Sequence, residues 1–110
     1  MSYDERLAER VREVASELDP SATEKAMFGG LCFLRRGKMF VGIVGDQLMV
    51  RVGRDAYEAA LMEPHVREMD FTGKPMRGYV YVEPAALRRD DRLRDWIARG
   101  LAEARQLAKG

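Results

Sequence analysis

A chain of 110 residues with 46% hydrophobic and 34% charged side chains suits one domain, residues 1–110, with one core, and excludes a disordered segment. Nineteen basic residues nearly cancel eighteen acidic ones, and the net charge of +1 excludes a global field for nucleic acid or membrane. A single cysteine, Cys32, excludes an internal disulfide and suits a reducing compartment.

The start, Met1-Ser2-Tyr3-Asp4-Glu5-Arg6, lacks the basic opening and apolar run of a signal peptide. No apolar stretch approaches the about 18 residues of a membrane helix, so the expectation is a cytoplasmic protein with no membrane contact. Ser2-x-x-Glu5 has capping-box spacing and predicts a first helix. Leu7, Val11, Val14 and Leu18 form its apolar stripe, and Pro20 stops it.

Residues 27 to 52 predict a three-strand meander. Gly45-Asp46 is a two-residue hairpin signal, because glycine tolerates the positive φ of such turns. That turn sets Ile43 opposite Leu48, Val41 opposite Val50 and Met39 opposite Val52, all on one face. A second two-residue turn at Arg36-Gly37 sets Leu34 opposite Met39, Cys32 opposite Val41 and Phe33 opposite Phe40. A longer loop with a bulge at Gly37 shifts that register.

A second helix is expected from Arg54 to Met62, with Tyr57 and Leu61 on its inner side and Pro64 at its end. Two strands follow, near Glu68–Phe71 and Tyr79–Val82, joined by a loop from Thr72 to Gly78. The last helix is predicted over Asp91–Ala108. Leu93, Trp96, Ile97, Leu101, Ala104 and Leu107 form its stripe. Gly100 interrupts it, at a cost of about 1 kcal/mol relative to alanine, and suggests close packing on the sheet. The fold class is α+β: two layers, with an antiparallel sheet and helices mainly on one face. Met39, Val41, Ile43, Leu48, Val50 and Val52 are expected on the covered face.

Several segments together resemble the TfoX N-terminal domain family. They are Met27-Phe28-Gly29-Gly30, Gly37-Lys38-Met39-Phe40, Leu48-Met49-Val50-Arg51-Val52, and the run from Met69 to Met76. Tyr79-Val80-Tyr81-Val82 with Pro84 and Trp96 complete the match. The resemblance implies a helix, three strands, a helix, two strands and a helix, similar to secretion chaperones and YjbR-type domains. It implies no catalytic residue set and no cofactor. Its best-known members regulate natural competence and carry a second, helical domain, which these 110 residues do not contain. The expected function is therefore a non-enzymatic regulatory or protein-interaction module, binding a protein partner or forming a homodimer. The alternatives are a DNA-associated transcriptional regulator and a binder or enzyme for a small anionic ligand.

Candidate sites follow from chemistry. Phe33, Phe40 and Met49, with Arg51 beside them, are expected on the sheet face away from the helices, where an apolar patch marks a partner or dimer surface. A terminus or loop lying over that face is the plainer alternative. Arg51, Arg54, Lys74 and Arg77 are a candidate anion site, since guanidinium forks match phosphate and carboxylate; paired surface charge is the plainer reading. Met27, Phe28, Gly29 and Gly30 either open the backbone to a ligand or bend the chain into the sheet, with Phe28 as a core anchor.

The arginines from Arg88 to Arg105 are interleaved with Asp90, Asp91, Asp95 and Glu103, and read as a solvated helix face with Asp95–Arg99 and Arg99–Glu103 pairs. Cys32 reads as a buried thiol on the core face. One cysteine and one histidine, His65, cannot make a zinc site, and no metal is expected. No nucleophile–base pair and no nucleotide-binding glycine motif is present in the sequence.

Overall fold

The computed structural model of the chain describes residues 3–27, 29–70, 73 and 75–109. Helix α1 (Glu5–Leu18) opens the fold. Ser2 lies outside the described residues. The observed cap is Asp4, whose carboxylate accepts from the Arg6 and Leu7 N–H groups at 2.9 and 3.2 Å. Four strands follow: β1 (Thr23–Met27), β2 (Gly30–Arg35), β3 (Lys38–Val44) and β4 (Gln47–Arg51). Then come α2 (Arg54–Leu61), β5 (Val66–Asp70), β6 (Pro75–Val82), a 3-10 turn at Pro84–Ala86, and α3 (Asp90–Lys109).

The order of helices and strands is the expected one, with β1 as an additional edge strand. All strand pairs are antiparallel, in the order β1-β2-β3-β4-β6-β5. Strand β6 thus slots between β4 and the edge strand β5.

The β3–β4 hairpin has the expected register: Ile43 pairs with Leu48 and Val41 with Val50. Gly45 stands at φ +60° in its turn. The ladder stops there, so Met39 does not pair with Val52. The β2–β3 turn is also the expected two-residue turn. Arg36 and Gly37 both have positive φ, and Leu34 pairs with Met39.

One step further the expected register fails. Phe33 pairs with Val41 and Cys32 with Gly42, so Phe40 is an extra residue in a bulge. The bulge turns Phe40 and Val41 to the same side.

That single residue redistributes the faces. Helices α1, α2 and α3 all cover one face, where Val41, Ile43, Leu48, Val50, Val80 and Val82 join one core with Trp96, Ile97 and Leu101 of α3. Phe33 and Phe40, 2% and 0% exposed, belong to this core. Met39 belongs to the other face. There Cys32, Met39, Met49, Met69 and Tyr81, one from each strand β2 to β6, form a second buried cluster. Gly42 makes room for it: a β-carbon there would stand 2.8 Å from Met49 Cε and 3.0 Å from Cys32 Sγ.

Helix α3 lies close on the sheet because of Gly100. A β-carbon at that position would overlap the carbonyl oxygen of Phe40, the bulged residue. Leu107 departs from the expected stripe and is exposed.

Candidate functional site

The expected partner surface of Phe33, Phe40, Met49 and Arg51 does not exist in that form. Both rings lie beneath the helices. Met49 does lie on the opposite face, but it is fully buried among Cys32, Met69 and Tyr81. Arg51 is half-buried there, donating from Nη1 to the Met39 carbonyl at 3.3 Å and stacking over Tyr79 with 5.3 Å to the ring centroid. Arg67 lies similarly over Tyr81, at 4.8 Å. Cations thus roof the second cluster, and no open apolar patch is centred on Phe33 and Phe40.

The anion candidates fare differently. Arg51 ends β4 and Arg54 opens α2. Gly78, at φ +95°, turns its carbonyl to accept from the Val52 and Gly53 N–H groups at 2.9 and 3.0 Å. That pair of bonds ties β6 to the entrance of α2 and brings Arg77 beside Arg54. Arg51, Arg54 and Arg77 consequently line one cleft of about 410 Å³. Lys74, the fourth candidate, lies outside the described residues. Among the described residues neither Arg54 nor Arg77 forms an ion pair.

The sequence carries no signal for three further side chains here. Asp55 and Glu103 share the cleft wall. Glu103, on α3, places its carboxylate against Gly53, so the expected Arg99–Glu103 pair does not form. Arg99 turns instead to Glu63, at 2.6 Å, and keeps its expected partner Asp95, at 2.9 Å. The third is Tyr57. It lines a recess of about 190 Å³ that shares Arg54, Asp55 and Arg77 with the cleft. Its hydroxyl is buried with no hydrogen-bond partner among the described residues. Burial pushes that hydroxyl above its ordinary pKa and Glu68 adds to the rise, so it remains a proton donor.

The cleft adjoins a larger groove of about 700 Å³ between α2 and α3, with Val52, Asp55 and Glu103 along it. Its walls are Ala56, Ala59, Ala60 and Ala102. Small side chains on both helices keep the groove wide. Two arginines of α3 are paired, Arg94 with Glu17 and Arg99 with Glu63 and Asp95, and Arg105 donates to the Leu18 carbonyl.

The family model of the TfoX N-terminal domain matches residues 13–104. The chain belongs to that family. No curated protein matches it.

The TfoX-type Met-Phe-Gly-Gly element now has a structural account. Met27 pairs with Gly30 across the β1–β2 hairpin, and Gly29 stands at φ +73° in its turn. Gly30 must lack a β-carbon because Ile43 of β3 puts its carbonyl oxygen there. Phe28, the expected core anchor of this TfoX element, lies outside the described residues. The TfoX match covers α2 and α3 as far as residue 104, and with them most of the residues that line the groove and the arginine cleft. Among the described residues no group of three His, Cys, Asp or Glu side chains is placed to hold a metal. No described helix is long and apolar enough to cross a membrane.

Proposed function

We propose that this domain is a regulatory binding module without chemistry of its own, and that it receives a helical segment of a protein partner between α2 and α3. The observation that carries this reading is the alanine-walled groove of about 700 Å³. Two antiparallel helix walls with small side chains accept an amphipathic helix, whose larger apolar residues fill the space between them. Asp55, Glu63 and Glu103 stand along the groove against one cation, Arg99, so a helix with a basic edge fits it best. A second copy of the chain is the self-associating version of the same reading. The pairing of Arg94 and Arg99 with carboxylates weighs against a phosphate-tracking stripe along α3 and so against the DNA-associated alternative.

Ala102→Trp tests this directly. Ala102 is exposed, so the fold should tolerate the ring while the groove fills. The wild type is expected to retain a partner from native extract, or to show a mass that rises with concentration. The variant should lose either by at least about tenfold, equivalent to about 1.4 kcal/mol. Equal retention and equal mass by both proteins, with matched melting curves, would remove the groove from consideration.

A further inference from the structure

We infer that the cleft at the entrance of α2 binds a small carboxylate that also carries a hydrogen-bond donor, such as an α-hydroxy or α-amino acid, gripped by Arg54 and Arg77 and by the buried hydroxyl of Tyr57.

Three independent features converge on this. The first is cationic: Arg77, distant in sequence, joins Arg51 and Arg54 in lining one cleft. The guanidinium fork matches the two oxygens of a carboxylate. The second is the helix end. Helix α2 is capped by Gly53, which has no side chain to satisfy the first N–H groups, and a bound oxyanion would share the positive end of the helix dipole with the Glu103 carboxylate that stands against Gly53.

The third is Tyr57. Its side chain is 8% exposed, and its hydroxyl has no partner among the described residues. A buried hydroxyl without a partner is costly, and a native structure rarely keeps one without use. Tyr57 lines the recess with Arg54 and Arg77, where a bound oxygen would accept its proton.

Charge selects the ligand class. Over the described residues the cleft and its recess set three arginines against three carboxylates, Asp55, Glu58 and Glu103. These acidic groups oppose a phosphate dianion more than they oppose a singly charged carboxylate or a zwitterion. The carboxylates then serve as acceptors for the ligand's own O–H or N–H, which explains acidic groups in an anion site. Both chambers, about 410 and 190 Å³, limit the ligand to a small molecule. The cleft shares Asp55 and Glu103 with the α2–α3 groove, while Arg54, Arg77 and Tyr57 do not line the groove.

The test is an NMR titration of the ¹⁵N-labelled chain with lactate, with serine, and with inorganic phosphate, at constant ionic strength. Saturable shifts of the amides from Gly53 to Tyr57 by lactate or serine, in the low-millimolar range or tighter, are expected. Phosphate should bind more weakly. Arg77→Gln should weaken the carboxylate by about tenfold, as expected for a lost charge-assisted bond.

Tyr57→Phe carries the sharper outcome. It should weaken binding by about threefold to tenfold and leave the melting temperature unchanged or raised, because the hydroxyl it removes has no internal partner. Three results would overturn the inference. They are no saturable shift at about 10 mM carboxylate, well above the millimolar range of the weakest specific sites; phosphate binding as tight as carboxylate; or a Tyr57→Phe protein that loses stability and keeps its affinity.

Discussion

Asp19 closes α1 and is the one charged side chain buried to this degree among the described residues. It accepts from the Ser21 hydroxyl at 2.6 Å and from the Ser21 N–H at 3.0 Å, and Arg35 of β2 donates to its other oxygen at 2.7 Å. The Ser21 hydroxyl is the largest influence holding the carboxyl below its ordinary value. Burial opposes it, and the Ser21 N–H and Arg35 add to it. A carboxyl lowered on folding contributes stability that is complete above its unfolded pKa, about 4, and is lost as pH falls through its folded value. Asp19→Asn should therefore cost about 1–3 kcal/mol at neutral pH. Below about pH 4 the loss should shrink. Urea midpoints for both proteins between neutral and acid pH check this, and parallel curves throughout would show that the carboxylate is not linked to folding. Nothing in one sequence marks this residue. Its partner lies sixteen positions away on a strand, and a pairing over that distance leaves no local pattern. The same holds for Tyr57. Its spacing reads as core, which is right, while its unpartnered hydroxyl depends on what β5 and β6 bring near it. Arg51, Arg54 and Arg77 were legible as a group because turn and strand boundaries placed each at one end of the sheet.

At the scale of elements, local signals carried as far as their own geometry reached. The Gly45-Asp46 turn determines the pairing of its two strands near the turn, and Val41–Val50 and Ile43–Leu48 follow from it. A period of two assumes an unbroken ladder. The bulge at Phe40 breaks it, and every residue beyond changes side, including Cys32 and Phe33 relative to Val41. The bulge packs against α3, more than fifty residues later. Gly100 lets that helix settle against the Phe40 carbonyl, and the bulge puts two large side chains under it. Gly100→Ala separates helix propensity from this contact. In a free helix alanine is better by about 1 kcal/mol. Here its methyl group meets backbone that cannot rotate away, and overpacking costs about 1–3 kcal/mol. The net effect should be destabilising, read as a lower urea midpoint at unchanged slope. A higher midpoint would mean that α3 does not approach β3 as closely as the glycine implies.

The central strands of the sheet are buried on both sides, by different means. Helices cover the valine and isoleucine side; methionine, cysteine and tyrosine side chains bury one another on the other, beneath Arg51 and Arg67. Alternation along each strand announces two faces, and the order of elements with helices mainly on one face was legible from it. That the second face would close on itself was not legible. It requires the thioethers of three strands to meet over Gly42 and its neighbours, a property of the assembled sheet rather than of any strand. Cys32 sits within that second core with no exposure, and burial pushes its thiol up to about 11. Two effects thus protect it at neutral pH: no reagent reaches the sulfur, and little of it is thiolate. Labelling must then wait for the sheet to open. A disulfide reagent added to the native protein at pH 8 should react with Cys32 far more slowly than with the chain in urea. The rate should rise with denaturant in step with global unfolding measured by Trp96 fluorescence, because Trp96 is buried in the helix-side core. Coincident dependence would show that both cores open in one cooperative event. Labelling that runs ahead of the Trp96 signal would show that the methionine face opens alone, with α1 and α3 still docked, and would divide the domain into two units of unequal stability.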